Sequence, residues 1–168
     1  MKKKGFTLIE LLAVIVILGI ILSISVVAVS SIMKKQKGKN ERNALLSIFT
    51  AAKLYCAENP QENNCKTNNL EIPVDYLVNS TKHLQLDDKM IATDGIFNNK
   101  KVMFEFCHSS DGSVDYLHRK YYIDFEFNFS DGTSHKFNDC GCVDQSGVYY
   151  NSSGDMMRAT IIDGLCKE

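Results

Sequence analysis

Residues 6–33 form one long apolar run in which Glu10 is the single ionisable side chain. As a helix rising about 1.5 Å per residue this run spans about 42 Å, more than the hydrocarbon core of a bilayer at about 30 Å. Beyond Lys39 the pattern changes. Leu45, Ile48, Phe49, Ala52, Tyr55 and Cys56 recur at i, i+3, i+4, i+7 spacing, which predicts an amphipathic helix with one apolar stripe, and Asn59-Pro60 ends it. An unbroken helix over residues 6–58 would be about 80 Å long, and its second half needs a sheet to lie on. Alternation supplies one: Val102-Met103-Phe104-Glu105-Phe106-Cys107 is one strand. Residues 121–129 are another, with Tyr121, Ile123, Phe125, Phe127 and Phe129 on one face. Further strands are expected at 134–137 and 147–150, and Asp111-Gly112 and Asp131-Gly132 stand where hairpin turns belong, so the strands should be antiparallel. Residues 61–101 read as a polar connection with a short helix about 74–79. The closing stretch, 151–168, contains Asp163-Gly164 and Cys166 and is expected to be tied back by a disulfide. The pattern predicts an α+β fold: a long N-terminal helix whose second half packs on a small antiparallel sheet.

Composition alone would conceal this division. The 168 residues are 45% hydrophobic and 23% charged, with 19 Lys+Arg against 20 Asp+Glu and a formal charge of −1. That balance argues against a dense basic face for nucleic acid, which needs many cations to displace counterions. Lys2, Lys3 and Lys4 precede the apolar run, and Lys34, Lys35, Lys37, Lys39 and Arg42 follow it, so flanking charge does not fix the orientation of a membrane span. A cleavable secretory signal would have an apolar core of about 7–15 residues and a small-residue cleavage site. This run is about twice that length, and Ser23, Ser25, Ser30 and Ser31 make no clean site.

Glu10 needs an explanation. A carboxylate inside the apolar layer costs about 2.5–3.5 kcal/mol, which makes it a functional residue in search of a partner. Cleavage between Gly5 and Phe6 would create that partner, an α-amino group one helical turn away. The two groups can meet within one helix, or between neighbours in a filament, where they would set an axial register. At an effective dielectric near 20 a pair about 4 Å apart gains about 4 kcal/mol, enough to offset the burial cost.

The segment Lys2-Lys3-Lys4-Gly5-Phe6-Thr7-Leu8-Ile9-Glu10-Leu11-Leu12 resembles the signature of type IV prepilins and of the pseudopilins of type II secretion and competence systems. The resemblance implies a dedicated prepilin peptidase that cuts after Gly5 on the cytoplasmic side and methylates Phe6, with Glu10 guiding subunit docking. It also implies a cytoplasmic leader and an extracytoplasmic head. The chain then divides into a leader at 1–5, a transmembrane and filament-core helix at 6–33, its amphipathic continuation at 34–58, and a disulfide-bearing head at 59–168. The implied partners are other pilin or pseudopilin subunits, the prepilin peptidase, an inner-membrane assembly platform and membrane lipid. The protein would be a single-pass membrane protein before assembly and part of a pilus or pseudopilus afterwards. Major pilins commonly carry a Pro some twenty residues into the mature helix, which removes a backbone hydrogen bond. Residues 22–29 contain none, which favours a minor pilin or pseudopilin. The rival reading is an uncleaved membrane-anchored binding module whose disulfide-stabilised head recognises a ligand.

All six cysteines, Cys56, Cys65, Cys107, Cys140, Cys142 and Cys166, follow the apolar run. An even number in an exported region predicts a disulfide framework, with 15 connectivities open. Cys56 with Cys65 is the favoured pair, because Asn59-Pro60 and Asn63-Asn64 turn the chain back between them. Cys140-Gly141-Cys142 is too tight for an easy bridge to itself, so each should reach elsewhere. That spacing also breaks the Cys-x2-Cys pattern of structural zinc sites and provides no redox motif. His83, His108, His118 and His135 lack ligand spacing.

No cofactor is expected. The rival is calcium in the C-terminal loops, where Asp139 and Asp144 flank the cysteine pair, but Asp is also a common turn residue and no Asp-x-Asp-x-Asp-Gly loop is present. Nucleophile-elbow, phosphate-loop and metalloprotease motifs are missing, so the expectation is a non-enzyme. His118-Arg119-Lys120-Tyr121-Tyr122 combines cations and aromatics that could hold a DNA strand. Against this, a chain without the three leader lysines carries 16 basic and 20 acidic side chains, a difference of −4. A turn or strand end accounts for the cluster equally well.

Overall fold

The computed structural model of the protein describes residues 7–66, 71–82, 84–123, 128–134 and 136–167. Gly5, Phe6, His83, His135, Phe125 and Phe127 lie outside the described residues, as do the side chains at 24–27, 63, 64 and 80.

Helix α1, Leu8–Glu58, runs unbroken for 51 residues, about 77 Å. The β-branched residues of its first half lower helix propensity only mildly, and no Pro interrupts it. It stops where Asn59 takes a non-helical conformation, with both its backbone N–H and its Nδ2 donating to the Tyr55 carbonyl at 3.0 Å, and Pro60 forbids continuation. Four short elements follow: α2 (Asn63–Lys66), β1 (Ile72–Pro73), α3 (Val74–Ser80) and α4 (Asp88–Ile91). The remaining strands are β2 (Lys101–His108), β3 (Val114–Ile123), β4 (Phe137–Asp139), β5 (Val148–Tyr150), β6 (Met156–Arg158), β7 (Thr160–Ile162) and β8 (Leu165–Lys167). The main sheet has the order β1-β2-β3-β4-β8-β7 with antiparallel pairing throughout, while β5 and β6 form a separate hairpin. The architecture is α+β, with the second half of the long helix lying on an antiparallel sheet.

The core forms where the helix stripe meets the sheet. Leu45, Ile48, Phe49, Ala52, Tyr55 and Cys56 are buried against Val102, Phe104 and Phe106 of β2, Tyr121 and Ile123 of β3, and Phe137 and Leu165. Every described side chain from Leu8 to Met33, by contrast, is exposed, Leu8 to 84%.

Several predicted strands are placed differently. The strand expected at 121–129 begins instead at Val114, and its described part ends at Ile123. A bulge breaks its period: Phe106 faces Arg119, while the next residue, Cys107, faces Asp115. Of the strand expected at 134–137, the described residues show Ser134 bridged to Asn128 and Phe137 opening β4, Phe137–Asp139. The turn expected at Asp131-Gly132 is present: the Phe129 N–H donates to the Thr133 carbonyl at 2.8 Å and the Gly132 N–H to the Phe129 carbonyl at 2.9 Å. The 147–150 strand is present as Val148–Tyr150 but pairs with β6, outside the main sheet.

Candidate functional site

The first turn of α1 is closed by a capping box. The Thr7 N–H and hydroxyl both donate to Glu10 Oε2 at 2.8 Å, and the Glu10 N–H donates to Thr7 Oγ1 at 3.3 Å. Spacing supplies the reason: Thr at the N-cap and Glu three residues on satisfy two backbone donors reciprocally. Glu10 thus carries local hydrogen bonds but no cationic partner among the described residues. From this turn the helix continues as a surface of Leu, Ile and Val that its own chain leaves uncovered. By length and composition it is able to cross a membrane.

At the other end of the exposed stretch the head engages the rod through polar residues. Gly38 is buried, and a methyl group there would lie 2.6 Å from Asp131 Cγ. Glycine weakens a helix interior by about 1 kcal/mol relative to alanine, and here it allows the 129–133 turn to approach the helix backbone. One turn on, the Glu41 carboxylate accepts from the Ser130 N–H at 2.8 Å and the Ser130 hydroxyl at 2.6 Å. Arg42, whose side chain is 7% exposed, pairs with Asp131 at 2.6 Å and with Asp163 of the β7–β8 turn at 2.9 Å, and its guanidinium lies over the Phe129 ring. Burial alone would push the Asp131 carboxyl up, but bonds from Thr133 and Arg42 outweigh it and hold the group below the usual range. Further along, Lys53 pairs with the buried Asp139, whose other oxygen accepts from the Tyr121 N–H at 2.5 Å. In the sequence Arg42 reads as one of the flanking cations, and Glu41 does not stand out. The signal was available, since Gly38, Glu41 and Arg42 continue the Leu45 stripe backwards at i−7, i−4 and i−3.

Residues 1–31 match the family model described as the prokaryotic N-terminal methylation motif. The chain carries the type IV prepilin signature. That signature covers the cap, Glu10 and most of the exposed helix, and it describes a structural precursor that is processed by a prepilin peptidase and assembles with other pilin-type subunits. Its fit with an N-terminal apolar helix agrees with membrane anchoring before assembly. No curated protein and no solved structure matches the chain.

In the head, the six cysteines form three bridges: Cys56 with Cys65, Cys107 with Cys142, and Cys140 with Cys166. The first fastens the end of α1 to α2, the second fastens β2 to the loop after β4, and the third fastens β4's exit to β8. Gly141 is forced by the two bridges on either side of it, which draw this loop onto β3 so closely that a methyl group would lie 2.1 Å from the Arg119 carbonyl oxygen.

Asp139, Asp144 and the cationic cluster at 118–122 are engaged within the fold. Asp144 is a turn residue: the Val148 N–H, the Ser146 hydroxyl and the Ser146 N–H hold its carboxyl below the usual range. Asp139 instead faces Lys53 and Tyr121, so the two carboxylates considered for calcium are turned to different partners. No group of three or more His, Cys, Asp and Glu positioned for a metal occurs among the described residues. In the cationic cluster, Arg119 donates to the Cys65 carbonyl at 3.1 Å and lies over Phe104 and Phe106. Lys120 pairs with Glu105 at 3.5 Å. Tyr121 and Tyr122 are only 4% and 7% exposed, so neither offers a face on which a base could stack.

Proposed function

We propose that the protein is a minor pilin or pseudopilin: inserted with residues 1–5 in the cytoplasm, cut between Gly5 and Phe6, methylated at Phe6, and built into a type IV pilus-like filament through α1. The observation that carries this reading is the division of one continuous helix. Its second half buries a complete stripe in the head, while its first half is an apolar run whose described side chains from Leu8 to Met33 are all exposed, in the segment that carries the methylation motif. Such a surface needs lipid before assembly and other helices of the same kind after it. The filament serves secretion, DNA uptake, adhesion or motility.

Glu10 has a defined part in this reading. Its Oε2 is satisfied by Thr7, which reduces the cost of its position, and its charge awaits the amine that cleavage creates at Phe6. In a bundle of such helices the amine of a neighbour fixes the axial register. N-terminal peptide mass analysis of the protein from cells with their own peptidase tests the proposal. A mature chain starting at N-methylated Phe6 is expected. A chain starting at Met1 in assembled material would overturn the reading and leave a membrane-anchored binding module in its place.

A further inference from the structure

Four lysines, Lys34, Lys35, Lys37 and Lys39, follow the last exposed apolar residues, Ile32 and Met33, and all four are exposed. None has an ion-pair partner among the described residues. The nearest acid along the helix, Glu41, is taken by Ser130, and Arg42 is taken by Asp131 and Asp163. The stretch from 33 to 40 therefore presents positive charge alone. Asp87 and Asp94 line a cleft beside Lys37, but Lys89 lines the same cleft and offsets one of them.

Helix geometry decides where this charge lies. Only four residues separate Met33 from Gly38, where the head first closes on the helix, a rise of about 7.5 Å from one to the other. That height matches the headgroup layer on one side of a bilayer, about 5–8 Å. At about 100° per residue the four lysines lie at about 0°, 100°, 300° and 140° around the axis, so they encircle most of the rod and do not mark one face. In the orientation given under the proposed function they lie outside, where flanking lysines work against the usual topology bias. Charge retained in that position calls for a use.

We propose that Lys34, Lys35, Lys37 and Lys39 form a collar that binds anionic phospholipid headgroups and holds the unassembled subunit at a set height in the membrane. The inference rests on the membrane orientation of the proposed function, but its chemistry is independent of cleavage and methylation. Compact ammonium groups on flexible stems suit headgroup phosphates as point charges, and a cluster of four or more cations beside a span recruits anionic lipid on the cytoplasmic side, an attraction that acts equally wherever anionic headgroups face the collar. Each engaged lysine favours the anionic surface about fivefold, and the effect fades as salt shortens the screening length from about 10 Å to about 3 Å.

The test uses the full chain reconstituted in phosphatidylcholine vesicles with trace spin-labelled phosphatidylglycerol or phosphatidylcholine, reading the motionally restricted lipid fraction. The expected result is a preference for phosphatidylglycerol of about fivefold or more at 0.05 M salt, approaching parity at 1 M salt. Most of the preference is expected to be lost in the variant Lys34→Gln, Lys35→Gln, Lys37→Gln, Lys39→Gln, leaving only the part owed to Lys2, Lys3 and Lys4. A second variant, Lys2→Gln, Lys3→Gln, Lys4→Gln, should keep most of the preference. Equal association of the two lipids, or a preference that the first variant leaves undiminished, overturns the proposal. So does a first variant that loses cross-linking between copies while its lipid preference is unchanged, since the collar would then be a subunit contact. An unprocessed Met1 terminus in cells would overturn the filament reading and leave the vesicle result standing.

Discussion

An alanine methyl at Gly141 would lie 2.1 Å from the Arg119 carbonyl oxygen, inside the shortest approach two such atoms make. The obstacle is backbone in β3, and the glycine is held between two bridged cysteines, so neither side can yield cheaply. Gly141→Ala is expected to lower stability by about 2–4 kcal/mol. Thermal unfolding of the disulfide-bonded protein measures it, together with a non-reducing peptide map that finds Cys107–Cys142 or Cys140–Cys166 mispaired. An unchanged melting temperature and map would mean that the loop is free to move away from β3. The same steric fact explains why the Cys-Gly-Cys spacing, puzzling as a metal motif, makes sense as a place where two bridges leave in different directions.

For the long helix, the first turn separates two roles of one side chain. Glu10→Gln keeps an acceptor for the Thr7 cap, because glutamine also serves in a capping box, but removes the charge. Glu10→Ala removes both. Both variants should be cleaved normally, and both should be nearly absent from sheared filaments in a pull-down against the parent subunit. Incorporation of the glutamine variant at parental levels would show that the cap, and not the charge, is what assembly needs. The helix was legible in sequence because its two patterns are long and regular: an apolar run with one acid, then a stripe at helical spacing. Other parts were hidden for physical reasons. Glu41 and Arg42 occupy stripe positions but are charged, so they read as solvated until Ser130, Asp131 and Asp163 supply partners. Val114–Ile123 contains Asp115, His118, Arg119 and Lys120, and its bulge destroys the period of two that marks a strand. Strands β6, β7 and β8 have three residues each. With Met156, Met157 and Ile161 exposed, they carry no alternation long enough to recognise. The disulfide partners of Cys107 and Cys140 depended on that unseen sheet order, since β4 pairs with β8 across a gap in sequence.

On the scale of the whole molecule, rod and head act as one body only if the junction holds. Arg42→Met removes the cation that serves both Asp131 and Asp163. The expected cost is about 2–4 kcal/mol, toward the lower part of the range for buried pairs because the Asp163 side chain keeps 30% exposure. The pH dependence has a definite sign. Asp131 is held below its ordinary value in the fold, so its contribution is complete above about pH 4 and is lost as pH falls through the folded value. The stability gap between parent and Arg42→Met should therefore be widest near neutral pH and narrow below about pH 4. Denaturant unfolding at several pH values measures it, and a gap independent of pH would assign the effect to packing on Phe129 alone.

That junction also determines how the molecule takes a pull. A tension applied along the helix from its N-terminal half reaches the head first at Gly38, Glu41 and Arg42, through the 129–133 turn and the β7–β8 turn, before it reaches the stripe on the sheet. Because these contacts all fall on one stretch of helix, between Gly38 and Arg42, they share the load instead of opening one after another. Cys140–Cys166 ties β8, which follows the Asp163 turn, to the exit of β4, so a force entering at Arg42 passes into a covalent link within a few residues. The head is thus towed from its base, and the far end of the sheet, with the β5–β6 hairpin, is left under little strain.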